Sequence, residues 1–280
     1  MIRPCFLSAT ASIFCACAIN QLAIAQLPSL SDNGWHGHFA VAESGKFQFS
    51  IQTDGDITLF PTTGKRDDKT SGTGITIRPR IEETMPNGSV VSRQIDGKSF
   101  ESSESPTAKL EKTTIRGKVT GETTFEITAE IRQGTIYLGG KIITPGPAVK
   151  NPLRFSVEIY FPSAYRDTKF DDEKKSEKFQ EKLEDDKITI KWTDGNKVRQ
   201  SYEENVDASS EKLHGPGIAS IEVDAACYYG KKITVTKAPD SLLRISNSNS
   251  TPLYKGFSLM CFADPGKSPS SETQVAIEVR

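Results

Sequence analysis

Leu153-Arg154-Phe155-Ser156-Val157-Glu158-Ile159-Tyr160-Phe161 is the longest alternating run in the chain, with an apolar residue at every odd position. A period of two puts Leu153, Phe155, Val157, Ile159 and Phe161 on one face of a β-strand and their neighbours on the other. Five apolar residues in phase predict a central strand with its odd face in a core. Shorter runs of the same kind flank it: Phe47, Phe49 and Ile51; Ile57 and Leu59; Ile75 and Ile77; Phe125, Ile127, Ala129 and Ile131; Ile136 and Leu138. On the C-terminal side come Ile188, Ile190 and Trp192, then Ile233 and Val235, then Val275, Ile277 and Val279.

Asp54-Gly55, Asn87-Gly88 and Asp194-Gly195 stand beside these runs. Such pairs tolerate the backbone of tight hairpin turns, so successive strands are antiparallel neighbours. Alternation with one wetted face also belongs to antiparallel sheets. Some fourteen short strands are expected on this pattern, and they predict an all-β, mainly antiparallel fold. The architecture is a large β-sandwich or related two-sheet arrangement, with a closed barrel as the alternative. Residues 26–36 read as a loose lead-in and 37–280 as a single sandwich-like domain.

One segment breaks the rule. Residues 171–186 read DDEKKSEKFQEKLEDD, without glycine, proline or a β-branched residue. That composition predicts a charged surface helix inserted between strands, with Asp171 and Asp172 at its N-terminus. Phe179 and Leu183, four residues apart, would dock it on a sheet.

The N-terminus carries a different signal. Arg3 is the only charge before Asp32, and the apolar and small residues Phe6 to Ile19 follow it. Ala23-Ile24-Ala25 then precedes Gln26. A basic tip, a short apolar stretch and small residues at −3 and −1 are what a signal peptidase reads, so cleavage is expected between Ala25 and Gln26. Asn20 and Gln21 interrupt the run, which leaves it too short for a retained anchor. The expected mature chain is secreted or periplasmic, with no later membrane span. Arg3 alone leaves among the charges, so 34 basic residues face 36 acidic ones, a net charge of −2. This balance gives no general attraction to nucleic acid or to an anionic membrane.

Three of the five cysteines leave with the same segment, so Cys227 and Cys261 remain. Cys227 continues the phase of Ile221, Val223 and Ala225, and Cys261 that of Phe257 and Leu259. Both sulfurs are therefore expected to point inward, and in an oxidising compartment they are expected to form a disulfide, worth about 3–4 kcal/mol.

Residues for chemistry are few. The sequence holds no G-x-S-x-G elbow, H-E-x-x-H, P-loop or dinucleotide fingerprint. His36 and His38 would share a face in extended backbone, but no further metal ligand is signalled near them. His214 precedes Gly215-Pro216-Gly217 and reads as a solvated loop residue. No catalytic residue, metal or cofactor is assigned. Trp35, Tyr165, Trp192, Tyr202, Tyr228, Tyr229 and Tyr254 are the aromatic side chains weighed for sugar stacking. Trp192 shares the apolar phase of Ile188 and Ile190, whereas Trp35 and the pair Tyr228-Tyr229 stand at loops or strand ends. Those three are the candidate ligand contacts. The expected function is a non-catalytic binding or interaction module, its partner a carbohydrate or an extracytoplasmic protein. The alternatives are a carbohydrate-active enzyme using paired carboxylates and a structural envelope protein.

Overall fold

The computed structural model describes residues 26–31, 34–63, 74–147, 149–163, 181, 183–205, 217–247, 251–263 and 272–280. Two antiparallel sheets pack against each other. The first contains β1 (His38–Glu43), β2 (Phe47–Gln52), β3 (Ile57–Pro61), β4 (Ile75–Thr84), β5 (Val90–Arg93), β10 (Leu153–Pro162), β15 (Ser241–Ser246) and β16 (Gly256–Ala263). Its order is β1-β2-β3-β4-β10-β16-β15, with β5 paired to β4. The second contains β6 (Ile95–Glu101), β7 (Lys112–Val119), β8 (Thr123–Arg132), β9 (Thr135–Thr144), β11 (Lys187–Trp192), β12 (Lys197–Ser201), β13 (Ile218–Asp224), β14 (Lys232–Lys237) and β17 (Thr273–Val279). Here the order is β12-β11-β13-β14-β17-β9-β8-β7-β6. Both sheets are open at their ends, so the barrel alternative is excluded.

The decisive run became β10, between β4 and β16. All five of its odd residues are buried. They meet the inner face of the second sheet in a continuous hydrophobic cluster. Phe155 packs against Phe125 with ring centroids 6.3 Å apart, and Phe161 stacks on Phe257 at 4.9 Å. The chain changes sheet after β5, β9, β10, β14 and β16, so strands distant in sequence become neighbours. The three Asp/Asn-Gly turns share one device. Asp54, Asn87 and Asp194 each accept, through the side-chain oxygen, the N–H two residues on, at 3.1, 3.0 and 2.9 Å.

Of the helix expected over 171–186, residues 171–180 and 182 lie outside the described residues, Phe179 among them. Residues 183–185 are helical, and Leu183 is buried in the core cluster while Glu184 and Asp185 face water. Among the described residues, no helix is long and apolar enough to cross a membrane. Residues 1–25, His214 and Tyr165 also lie outside them.

The expected disulfide is absent: Cys227 and Cys261 are both free thiols. The strand phase fails at one end. β13 stops at Asp224, and Cys227 sits in a 3-10 turn over Ala226–Tyr228. That turn lies at the Phe257 end of β16, because Tyr228 packs edge-on against Phe161, which stacks on Phe257. Cys261 is four residues further along β16, roughly 13 Å at strand rise, too far for a bridge. It does point inward as its phase required, and its Sγ donates to the Gln274 carbonyl at 3.6 Å.

Candidate functional site

The outward phase of β10 carries the feature that matters most. Register places its polar residues in rows across four strands of the first sheet. Thr76, Tyr160, Ser258 and Ser246 form one row, and Arg78, Glu158, Met260 and Arg244 the next. Arg80, Ser156, Phe262 and Leu242 form a third, and Glu82 faces Arg154 in a fourth. Side chains directly opposite on one face lie within about 5 Å at Cβ, so these groups meet.

Two ion pairs order the face, one between rows and one within the fourth. Arg80 Nε donates to Glu158 Oε2 at 2.7 Å, while Ser258 Oγ donates to the other carboxylate oxygen at 2.7 Å. Arg154 Nε donates to Glu82 Oε2 at 2.6 Å. Both carboxylates thus have a guanidinium partner, which is what permits them to lie under 10% exposed. Arg154 and Arg244 converge on the Phe262 ring, their guanidinium carbons 4.4 and 5.4 Å from its centroid.

Exposure across the face is graded. Ser156, Glu158, Ser258, Met260 and Phe262 are buried, Arg80, Tyr160 and Arg244 are half-buried, and Arg78 is exposed. Burial is deepest along β10 and β16 and lessens toward β4 and β15; in this sense of graded burial the face is a trough, with the first two strands as floor and the last two as rims. Every residue of β16 is buried, so this strand is covered on both faces. Among the described residues, two groups on the floor lack what burial demands. Ser156 is fully buried, yet its hydroxyl has no hydrogen-bond partner, and the buried Nε of Arg244 has none either. Such groups are costly unless something completes them.

A second concavity lies where the β2–β3 turn approaches β6 and β7. It is a cleft of about 850 Å³ whose lining includes Gln26, Asp54, Asp96, Lys98, Lys118 and Glu122. Its polar groups are partly engaged in local structure. Asp54 caps its own turn, Asp96 Oδ1 accepts the Lys98 N–H at 3.0 Å, and Gln26 Nε2 donates to Thr53 Oγ1 at 3.0 Å. Among the described residues, no aromatic ring lines it.

The candidate contacts from the sequence do not converge. Trp35 lies in the turn before β1, half-buried, with its ring edge-on to His38 at 5.2 Å. That turn feeds the sheet's edge, four strands from β10. Tyr228 is a correction: its ring packs edge-on against Phe161 in the core between the sheets, away from the outer face. Its neighbour Tyr229 is 36% exposed and adopts left-handed backbone (φ 57°) at the end of the 3-10 turn. This turn leads into the second sheet, so Tyr229 and Trp35 serve different regions. Tyr202 is buried, and Trp192 and Tyr254 pack against the core. His36 is exposed and His38 half-buried.

The apolar phase of each strand says nothing of the trough residues, which lie on the opposite phase. Two signals were available. Arg154, Ser156 and Glu158 alternate with the apolar run, and Gly256 to Ala263 reads GFSLMCFA, apolar on both phases but for Ser258, as a strand covered on both faces does.

No family model matches the chain. No curated protein matches it in sequence. Solved structures do share the fold. The α-N-acetylgalactosaminidase NagBb of Bifidobacterium bifidum, in complex with Gal-NHAc-DNJ, aligns with a TM-score of 0.51 at 11% identity, over 86% of this chain and 36% of that one. Its GalNAc complex aligns at 0.50 and 11%, over 86% and 35%. A galactose mutarotase-like protein from Lactobacillus casei ATCC 334 aligns at 0.42 and 11%, over 86% of this chain and 98% of its own. This chain spans about a third of the length of the bifidobacterial enzyme. At 11% identity the likeness to the bifidobacterial enzyme is one of fold.

Proposed function

We propose that this protein is an exported, non-catalytic β-sandwich that binds carbohydrate in the trough on the outer face of the first sheet. One observation carries the reading: a buried hydroxyl without a partner, Ser156, lies on a floor of ordered polar groups around an aromatic ring. Saccharides present many hydroxyls that both donate and accept, and C–H faces that pack on apolar side chains. Arg80, Glu158, Ser258 and Tyr160 supply the first kind of contact, and Met260 and Phe262 the second. Because the ion pairs fix the charged groups beforehand, little side-chain entropy is lost when a ligand docks.

The carboxylates support binding over hydrolysis. Glu82 faces Arg154, four residues along β10 from Glu158, a strand distance of roughly 13 Å. Glycosidase carboxyl groups stand about 5–9.5 Å apart. Each of these two is also committed to an arginine. Export is supported by Arg3, the apolar run and Ala23-Ile24-Ala25, with the mature chain beginning at Gln26.

A panel of neutral, uronic-acid and sulfated glycans tested by calorimetry against the purified protein checks the reading. Binding of at least one glycan is expected, weakened by Glu158→Gln and by Arg80→Ala but unchanged by Lys98→Ala in the end cleft. Binding lost only in Lys98→Ala would move the site to the cleft, and binding to none of the glycans would end the carbohydrate reading.

A further inference from the structure

We infer that the saccharide taken by this trough carries a carboxylate or sulfate, received by Arg244 and Ser156 beside the Phe262 ring; the inference rests on the carbohydrate reading above. The charges on the face do not balance. Arg78, Arg80, Arg154 and Arg244 project from it against Glu82 and Glu158. Glu158 is taken by Arg80 and Glu82 by Arg154. Arg78 is exposed and feels the charge of Asp56 beyond the β3 edge. Arg244 is left. Among the described residues it meets no carboxylate, and its contact is the Phe262 ring, 5.4 Å from the guanidinium carbon.

A guanidinium stays charged at any physiological pH, so its buried Nε–H needs an acceptor, and its half-buried charge is stabilised by a counter-charge. A neutral sugar hydroxyl could fill the hydrogen bond but not the charge. A carboxylate or sulfate fills both, in the two-pronged geometry that arginine favours. Register puts Ser156 directly beside Phe262. Its hydroxyl can donate to the same anionic group or to the sugar ring that bears it. Arg154, its guanidinium carbon 4.4 Å from the Phe262 ring centroid, adds positive potential although Glu82 engages its Nε. The trough therefore presents a pre-set cationic end next to an apolar plate. An acidic sugar residue has that same pairing of features.

The test compares oligogalacturonate with its methyl ester, which keeps the backbone and removes the charge, and adds a sulfated heparin oligosaccharide as a second arm. One charged ligand should bind at least tenfold tighter than the ester, with affinity falling as salt rises. The arm that binds distinguishes carboxylate from sulfate. Arg244→Gln should lose tenfold or more on that charged ligand and leave the ester unchanged, and Arg244→Lys should recover part of the loss. Thermal unfolding of each variant shows whether the fold is kept, and Ser156→Ala, a smaller change, supplies an independent loss of affinity. Equal binding of acid and ester, or equal loss on both in Arg244→Gln, overturns the inference. If only neutral glycans of the panel bind, the anionic preference fails while the carbohydrate function stands; if no glycan binds, both fail.

Discussion

Phe155 and Gly140 meet across the two sheets so closely that a Cβ on residue 140 would stand 2.3 Å from the Phe155 Cζ atom and 2.4 Å from the Glu126 carbonyl oxygen. The bulk of β10 is thus accommodated by the absence of a side chain on β9. Phe155→Ala should cost about 3–5 kcal/mol by lost burial and a cavity. Gly140→Ala should also destabilise, because the obstructing Glu126 oxygen is backbone and cannot swing away. In the double variant the ring clash is relieved but the carbonyl clash remains, so the two losses should sum to less than their separate values. Urea denaturation of the three variants measures this. Strict additivity would mean that the two sheets do not touch here.

The sandwich was legible because every strand that builds it writes its buried face at every second residue, as Phe155, Val157 and Ile159 do. Glycine–aspartate and glycine–asparagine turns then fixed the antiparallel connections. The trough was less legible, since whether Arg80 and Glu158 meet depends on which strands lie beside β10, and β16 lies more than ninety residues further along. Tyr228, placed at a strand end, is the inward member of its pair, with Tyr229 the exposed one; Cys227 was misread for a different reason. The alternation of Ile221 and Val223 was carried past Asp224, where the backbone turns into a 3-10 helix and side-chain direction no longer follows a period of two.

Glu83 should make the fold acid-sensitive. Its carboxyl is held below the ordinary value of 4.5, first by the Asn151 amide, which donates to Oε1 at 2.7 Å, and then by Arg93 on the other oxygen. A carboxyl depressed in the folded state contributes stability above its unfolded pKa, and this contribution is lost as pH falls through the folded value. The melting temperature should therefore be level near about pH 6 and decline below about pH 4.5. Asn151→Ala should lower it above that range and flatten the decline below. An identical pH profile in wild type and variant would remove Glu83 from the account.

The two thiols should be silent in the native state. Burial is the main cause that pushes both up to about 12, with Asp186 adding to it at Cys227. At about pH 8 neither offers the thiolate that attacks disulfide reagents. A chain beginning at Gln26 should release no thiol to such a reagent until denatured, then two without prior reduction. Finding none in the denatured, unreduced chain would restore the bridge.

Ser156→Ala should separate stability from binding. The hydroxyl is fully buried with no partner, so it carries a desolvation cost that the fold does not recover. Removing it should leave the protein as stable or raise its stability by up to about 1 kcal/mol, since the space it vacates is one atom in size. The same change should weaken glycan binding, because the ligand loses the group that the hydroxyl completes. A site shaped only for folding would show the opposite, with stability falling and affinity unmoved. Ser156→Thr sharpens the comparison: it keeps the hydroxyl but adds a methyl group beside Arg80 and Phe262, so affinity should fall through crowding while the hydrogen-bonding group remains. Paired melting curves and titrations on the two variants read both quantities, and a stable Ser156→Ala that binds like wild type would show that the trough does not use this hydroxyl.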